Sequence, residues 1–174
     1  MFRAESEDIT VQWGYDPHPL DHQFGRWRQT SFVDCQEAAD KQKLFFLYAP
    51  QSDLRSSISG VRKGGACLAI FDVYLRCFVG EIPIPCYGEA KKLFAVKAPS
   101  SGYGTAFVLV TEMDDPDGGI KELYLSRLEL CHDGRSIAAN KPLLTFPITV
   151  TDKYIVKMRD DTPEIIIIAN PGMQ

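Results

Sequence analysis

From residue 44 to residue 169 the chain breaks into short apolar runs separated by Gly, Pro and Asp clusters, and none of these runs carries a helical apolar stripe. The runs span residues 44–48, 66–74, 78–83, 93–97, 106–111, 122–130, 143–146, 154–158 and 164–169. They are rich in β-branched and aromatic residues, which suit a pleated, half-buried surface. This pattern restricts the chain to an all-β fold built from antiparallel strands. The segment Asp114-Asp115-Pro116-Asp117-Gly118-Gly119 is the strongest turn. Proline presets φ and glycine accepts positive φ, so a hairpin is expected between Val110 and Leu123. Residues 131–135 form a second turn of this kind. Leu123 and Leu125 alternate with Tyr124 and Ser126, as in a half-buried strand. Ile165 to Ile168 do not alternate, so protein is expected on both faces of that strand.

The first 43 residues read as a separate, partly irregular aromatic segment, followed by the antiparallel β domain over residues 44–174. Residues 9–13 alternate like a strand, and Pro17 and Pro19 force a turn or extended loop. Residues 26–33 read as another strand. Residues 34–43 are the most helix-like stretch, although short and without an apolar stripe.

The strand runs recur. Leu44, Ala106 and Glu164 open comparable runs 62 and 58 residues apart, and Leu68 and Leu123 lie 55 apart. Self-similarity at this scale marks a repeat architecture, and about four short antiparallel strands make one propeller blade. Leu68-Ala69-Ile70-Phe71-Asp72-Val73 resembles the third strand of a WD40-type blade, where an aromatic-Asp pair ends an apolar strand. Gly64-Gly65 and Phe78-Val79-Gly80-Glu81-Ile82 occupy the places of that blade's turn and outer strand. The Gly-His dipeptide of that family is missing, and Ser126-Arg127 stands where a second aromatic-Asp pair would fall. The repeat is also longer than the family's ~40–45 residues. The resemblance implies a divergent, WD repeat-like β-propeller array of four-stranded sheets, serving as a scaffold in a trafficking, signalling or chromatin assembly. A β-sandwich with long loops is the alternative. The chain holds only about three such units, whereas closed propellers have roughly 4–8 blades. Further blades or a protein partner are therefore expected to cover the strand at 164–169, which would otherwise be a sticky edge.

Charge and cysteine content narrow the function. Lys and Arg total 19 against 23 Asp and Glu, a net charge of −4, and the basic residues are scattered. Nucleic-acid binding needs positive charge gathered on one face, so it is not expected. No apolar run reaches the roughly 20 residues of a membrane helix. The start turns acidic at Glu5, where a signal peptide would become apolar. Five irregularly spaced cysteines argue against a disulfide framework. The expected location is a reducing compartment, cytoplasmic or nuclear.

Several clusters carry side chains with candidate chemistry. Asp16, His18, Asp21 and His22 offer two imidazoles and two carboxylates to a metal, but at the spacing of a proline-bounded loop. Asp114, Asp115 and Asp117 could bind calcium, as the acidic loops of lipid-responsive sandwiches do, although the following glycines favour a plain hairpin. Cys131-His132-Asp133 places a nucleophile beside a base, but adjacent turn residues point apart. Gly102-Tyr103-Gly104 precedes a strand rather than a helix, and Gly60–Gly64 lacks the Lys-Ser/Thr of a phosphate loop. No catalytic residue and no cofactor are expected. Trp13, Tyr15, Phe24, Arg26, Trp27 and Arg28 have the composition of a protein-interface anchor. The leading expectation is a non-enzymatic protein-binding module. The alternatives are a calcium- or lipid-responsive sandwich and a metal-dependent enzyme using the His18/His22 region.

Overall fold

The computed structural model describes residues 30–50, 65–85, 88–114, 119–149 and 151–168. These residues form ten strands: β1 (Thr30–Glu37), β2 (Lys43–Pro50), β3 (Gly65–Asp72), β4 (Cys77–Pro85), β5 (Glu89–Lys97), β6 (Thr105–Asp114), β7 (Ile120–Leu130), β8 (Ile137–Thr149), β9 (Lys153–Arg159) and β10 (Thr162–Ile168). A 3-10 turn, Gly102–Gly104, joins β5 to β6, and no α-helix occurs among the described residues. The fold is all-β. Strands β1 to β4 form one sheet in chain order, β5 to β8 a second, and β9 with β10 a two-stranded third. Every pairing is antiparallel.

The spacing seen in the sequence is a spacing of sheets. Leu44, Ala106 and Glu164 fall in β2, β6 and β10, each the second strand of its sheet. Backbone irregularities repeat as well. The β1–β2 register skips Val33 and the β5–β6 register skips Lys91, 58 residues on. The β3–β4 register skips Val79 and the β7–β8 register skips Ala138, 59 residues on. Bulges re-aim a strand and increase its twist, so both four-stranded sheets are bent at these two matching points, and the second sheet has a further bulge at Leu143 without a counterpart in the first.

The sheets stack in three layers. Phe45, Leu47, Leu68, Ile70, Ile82 and Ile84 of the first sheet share a core with Leu93, Phe107, Leu109, Leu128 and Leu130 of the second. The opposite face of the second sheet, with Val108, Val110, Leu123 and Leu125, packs against Tyr154, Val156, Met158 and Ile165 of the third. Adjacent residues of β6 thus point into different cores, which is why that strand reads as an unbroken apolar run. Phe45 and Phe107 meet at the centre of the first interface, with ring centroids 4.7 Å apart.

The first two sheets approach most closely along their first strands, β1 and β5. Among the described residues β5 has a strand partner on one side only. Side chains from β1 serve its other edge. The Leu93 N–H donates to Asp34 Oδ2 at 3.0 Å, and the Ala95 N–H donates to Gln36 Oε1 at 3.3 Å. Lys92 Nζ lies 3.1 Å from the same Asp34 oxygen. The helix expected over residues 34–43 is therefore not formed. Those residues end β1, make a turn and begin β2. With no apolar stripe to bury, a helix would gain nothing from packing, whereas the strand lets Asp34 and Gln36 satisfy buried donors.

A second correction concerns Ile165 to Ile168. Ile165 packs against the second sheet, but Ile166, Ile167 and Ile168 are exposed. One face of the hairpin meets the second sheet, and none of the described residues lies over the other.

Asp34→Ala removes the acceptor for Leu93 and is expected to cost about 1–3 kcal/mol in urea unfolding, with Asp34→Asn milder because an acceptor remains. Phe45→Ala, which empties the centre of the first interface, is expected to cost about 3–5 kcal/mol in the same assay.

Candidate functional site

Trp13, Tyr15, Phe24, Arg26, Trp27 and Arg28 lie outside the described residues, as do Asp16, His18, Asp21 and His22. The expected hairpin between Val110 and Leu123 is present, with Asp114 opposite Lys121. The Asp114 side chain, Asp115 and Asp117 lie outside the described residues. Among the described residues, no group of three His, Cys, Asp or Glu side chains is placed to hold a metal, and no helix is long and apolar enough to cross a membrane. Cys131, His132 and Asp133 form the turn between β7 and β8. The Gly134 N–H donates to the Cys131 carbonyl, and Asp133 accepts from the Arg135 N–H at 3.0 Å. Asp133 is thus occupied within its own turn.

Two further thiols are disfavoured as nucleophiles. Burial, followed by the neighbouring Asp34 charge, pushes the Cys35 thiol up to about 11. Burial and then Glu81 push Cys67 up to about 12. Both are protonated at neutral pH, and a thiol reacts as its thiolate.

The developed surface lies at one end of the sheets. Alternate connections of an antiparallel meander share an end, so the β1–β2, β3–β4, β5–β6 and β7–β8 turns gather there. They are tied to one another. The Val73 N–H donates to the Gln42 carbonyl at 3.0 Å. Lys43 Nζ pairs with Asp72 Oδ2 at 2.7 Å and lies 5.6 Å from the centre of the Tyr103 ring. Tyr103 packs so closely on Gly134 (φ +66°) that a β-carbon there would fall 2.2 Å from the ring. Buried Ser101 accepts the Leu130 N–H and donates to the Thr105 carbonyl, and Thr105 Oγ1 accepts the Ala39 N–H at 2.8 Å. A shallow depression of about 300 Å³ opens beside this seam, lined by Glu37, Ala39, Ala95, Val96, Lys97 and Thr105.

The β3–β4 turn stands out from this platform. Sequence reading carries the strand through Tyr74, but β3 stops at Asp72 and Val73, Tyr74 and Leu75 form the turn. Asp72 is the cause. Its Oδ1 accepts the N–H groups of Tyr74 and Leu75, both at 2.9 Å. Its other oxygen is held by Lys43. Aspartate closes turns in this way, and that preference is the signal that could have located the tip in the sequence. The locked turn leaves Tyr74 77% and Leu75 68% exposed. The Asp72 carboxyl is held below its ordinary value of 3.8, first by the Lys43 hydrogen bond and then by the Leu75 N–H.

A second polar cluster joins β9 to the middle sheet. Glu112 lies 3.1 Å from Lys91 Nζ and 3.8 Å from Lys121 Nζ, and it accepts the Tyr154 hydroxyl. Lys91 also pairs with Glu89 at 2.9 Å. Burial opposes the Lys91 charge, but its bonds to Glu89 and Glu112 outweigh that and raise its pKa. Burial, with Glu112 and Glu89 nearby, raises that of Tyr154. With cations and carboxylates mutually paired, this cluster is a clamp between layers.

Comparison with known proteins brings no family model, no curated relative and no solved structure that matches this chain.

Because folding lowers the Asp72 pKa, its contribution is complete above the ordinary carboxylate value and is lost as pH falls through the lower folded one. Amide exchange at Tyr74 and Leu75, corrected for the intrinsic pH dependence, is therefore expected to accelerate as pH drops below 3.8. Asp72→Asn is expected to loosen the same two amides at neutral pH.

Proposed function

We propose that this chain is a non-enzymatic protein-binding module, a propeller-like array of sheets that works within a larger protein assembly. The observation that carries the reading is the apolar tip formed by Val73, Tyr74 and Leu75. Isolated exposed apolar residues are ordinary, but here three consecutive ones project from a turn fixed by the hydrogen bonds of Asp72. A rigid aromatic anchor loses little conformational entropy on docking, and tyrosine is enriched among the residues that dominate interface energies. Arg76 follows directly, with φ of 54°, and adds a cation beside the apolar surface.

The propeller-like part of the reading draws on the meander order of each sheet, the close approach of first strands and the repeated bulges. Radially arranged sheets converge at their inner strands, whereas a two-layer sandwich has no third sheet over the back of the second. The divergent WD40-type resemblance of residues 68–73 is consistent with β3 being the third strand of its sheet and ending at Asp72.

The double variant Tyr74→Ser/Leu75→Ser tests the reading. It is expected to unfold at the same temperature as the native chain, because neither side chain is buried. Gel filtration with light scattering, on material from gentle lysis, is expected to show the native chain in a stoichiometric complex and the variant outside it. A native chain that elutes as a lone monomer, or a variant that keeps the complex, contradicts the proposal.

A further inference from the structure

We infer that the free edge of β10 receives an extended segment of another polypeptide, which adds antiparallel to the third sheet and rests on the exposed apolar residues of β8. This rests on the reading of the chain as a protein-binding module, but it uses a different surface.

Three observations define the notch. The first is an open ladder. Arg159 opposes Thr162 across a two-residue turn in which Asp160 and Asp161 have φ of 48° and 62°. Positive φ at both positions marks a type I′ turn, whose flanking pair exchanges both backbone hydrogen bonds. Alternation along the hairpin then directs the backbone groups of Thr162, Glu164, Ile166 and Ile168 to β9, and those of Pro163, Ile165 and Ile167 away from it. Among the described residues β10 pairs only with β9, so no described strand receives the N–H groups of Ile165 and Ile167.

The second is a floor continuous with an existing interface. On β7, Leu123 and Leu125 are fully buried in the cluster that includes Tyr154, Val156 and Ile165 of the hairpin. Their cross-strand partners on β8 are Phe146 and Leu144, on the same face of the sheet. These are 38% and 40% exposed. The apolar face thus runs on past the cover that two strands provide. Tyr154 of β9 bonds Glu112 of β6, and Ile165 of β10 belongs to the cluster that holds Leu123 and Leu125 of β7 and Ile148 of β8, so the next strand position outward leads toward the rest of β8.

The third is the repeat. In the first sheet β3 occupies the edge of β2, and in the second β7 occupies the edge of β6. An added strand would stand to β10 as those stand to β2 and β6. Strand addition of this kind draws affinity from main-chain hydrogen bonds and selectivity from alternate side chains. The occupant needs apolar side chains at alternating positions, to meet Leu144 and Phe146. A second copy of this chain fits poorly. Symmetric pairing of two β10 edges centred on Ile165 sets each Pro163 opposite the other copy's Ile167, so two carbonyls go unbonded, whereas a strand of a different chain meets only one such proline.

The test uses the full chain and a probe peptide with the sequence of residues 120–130, the strand that fills the equivalent position on β6. The peptide is supplied free, and also tethered to the C-terminus through a flexible Gly-Ser linker. Amide exchange is read by NMR. Occupation is expected to slow the Ile165 and Ile167 amides by about tenfold or more, leave Ile166 and Ile168 unchanged, and shift the Leu144 and Phe146 resonances. Ile167→Pro, which removes one outward donor without touching the β9 ladder, is expected to abolish the protection. Absence of protection even with the tethered peptide overturns the inference. So does protection that rises with protein concentration without peptide, which makes a second copy the occupant. Running the same assay in Tyr74→Ser/Leu75→Ser separates the two proposals, because that variant keeps strand addition whatever becomes of the turn-borne interface.

Discussion

The arrangement depends on how an unpaired strand edge is satisfied inside protein. A first strand such as β5 has N–H groups on the side away from β6, and burying them without acceptors would cost more than the sheet-to-sheet contact gains. Asp34 and Gln36 reach across from β1 and accept them. This lets the sheets converge along β1 and β5 and brings Phe45 against Phe107. The matching bulges at Val33 and Lys91 belong to the same solution, because each bends a first strand where the sheets meet.

The turn end depends on a related device. Asp72 would be a liability at the end of an apolar strand, where its buried charge needs a partner. Lys43 on the neighbouring strand supplies the cation, and the turn's own N–H groups take the remaining oxygen. An ionic contact between β2 and β3 thereby stiffens a connection whose apolar residues face outward. Stability and presentation of the surface come from the same carboxylate. The opposite end uses Glu112, Lys91 and Tyr154 to hold the hairpin on the middle sheet, a wholly internal role.

Most of the fold was legible. Each of the nine apolar runs from residue 44 onward falls on a strand, although the run at 66–74 passes the end of β3 by two residues and the last ends outside the described residues, because β-branched and aromatic composition between turn residues is a local signal. The repeat was legible for the same reason: Leu44, Ala106 and Glu164 mark equivalent strands. The candidate site was less so. Val73 and Tyr74 are good strand residues, and only the geometry of Asp72 places them in a turn. Residues 34–43 misled because Asp34 and Gln36 look solvent-facing until β5 arrives, 59 residues later for both contacts. The four isoleucines of β10 announce burial on both faces, while the described layers bury one.

By itself, then, the amino-acid order determined the all-β class, most of the strands and the period of about sixty residues, since these depend on neighbours within a few positions. The tertiary structure alone decided that the sheets stack in three layers, that β1 serves the edge of β5, that a tyrosine and a leucine stand exposed on a locked turn, and that the apolar face of β8 runs beyond its cover. Each of these draws on a contact between residues far apart in the chain, the locked turn through Lys43 and Asp72. Chain order carries no record of such a contact until the backbone brings the two partners together.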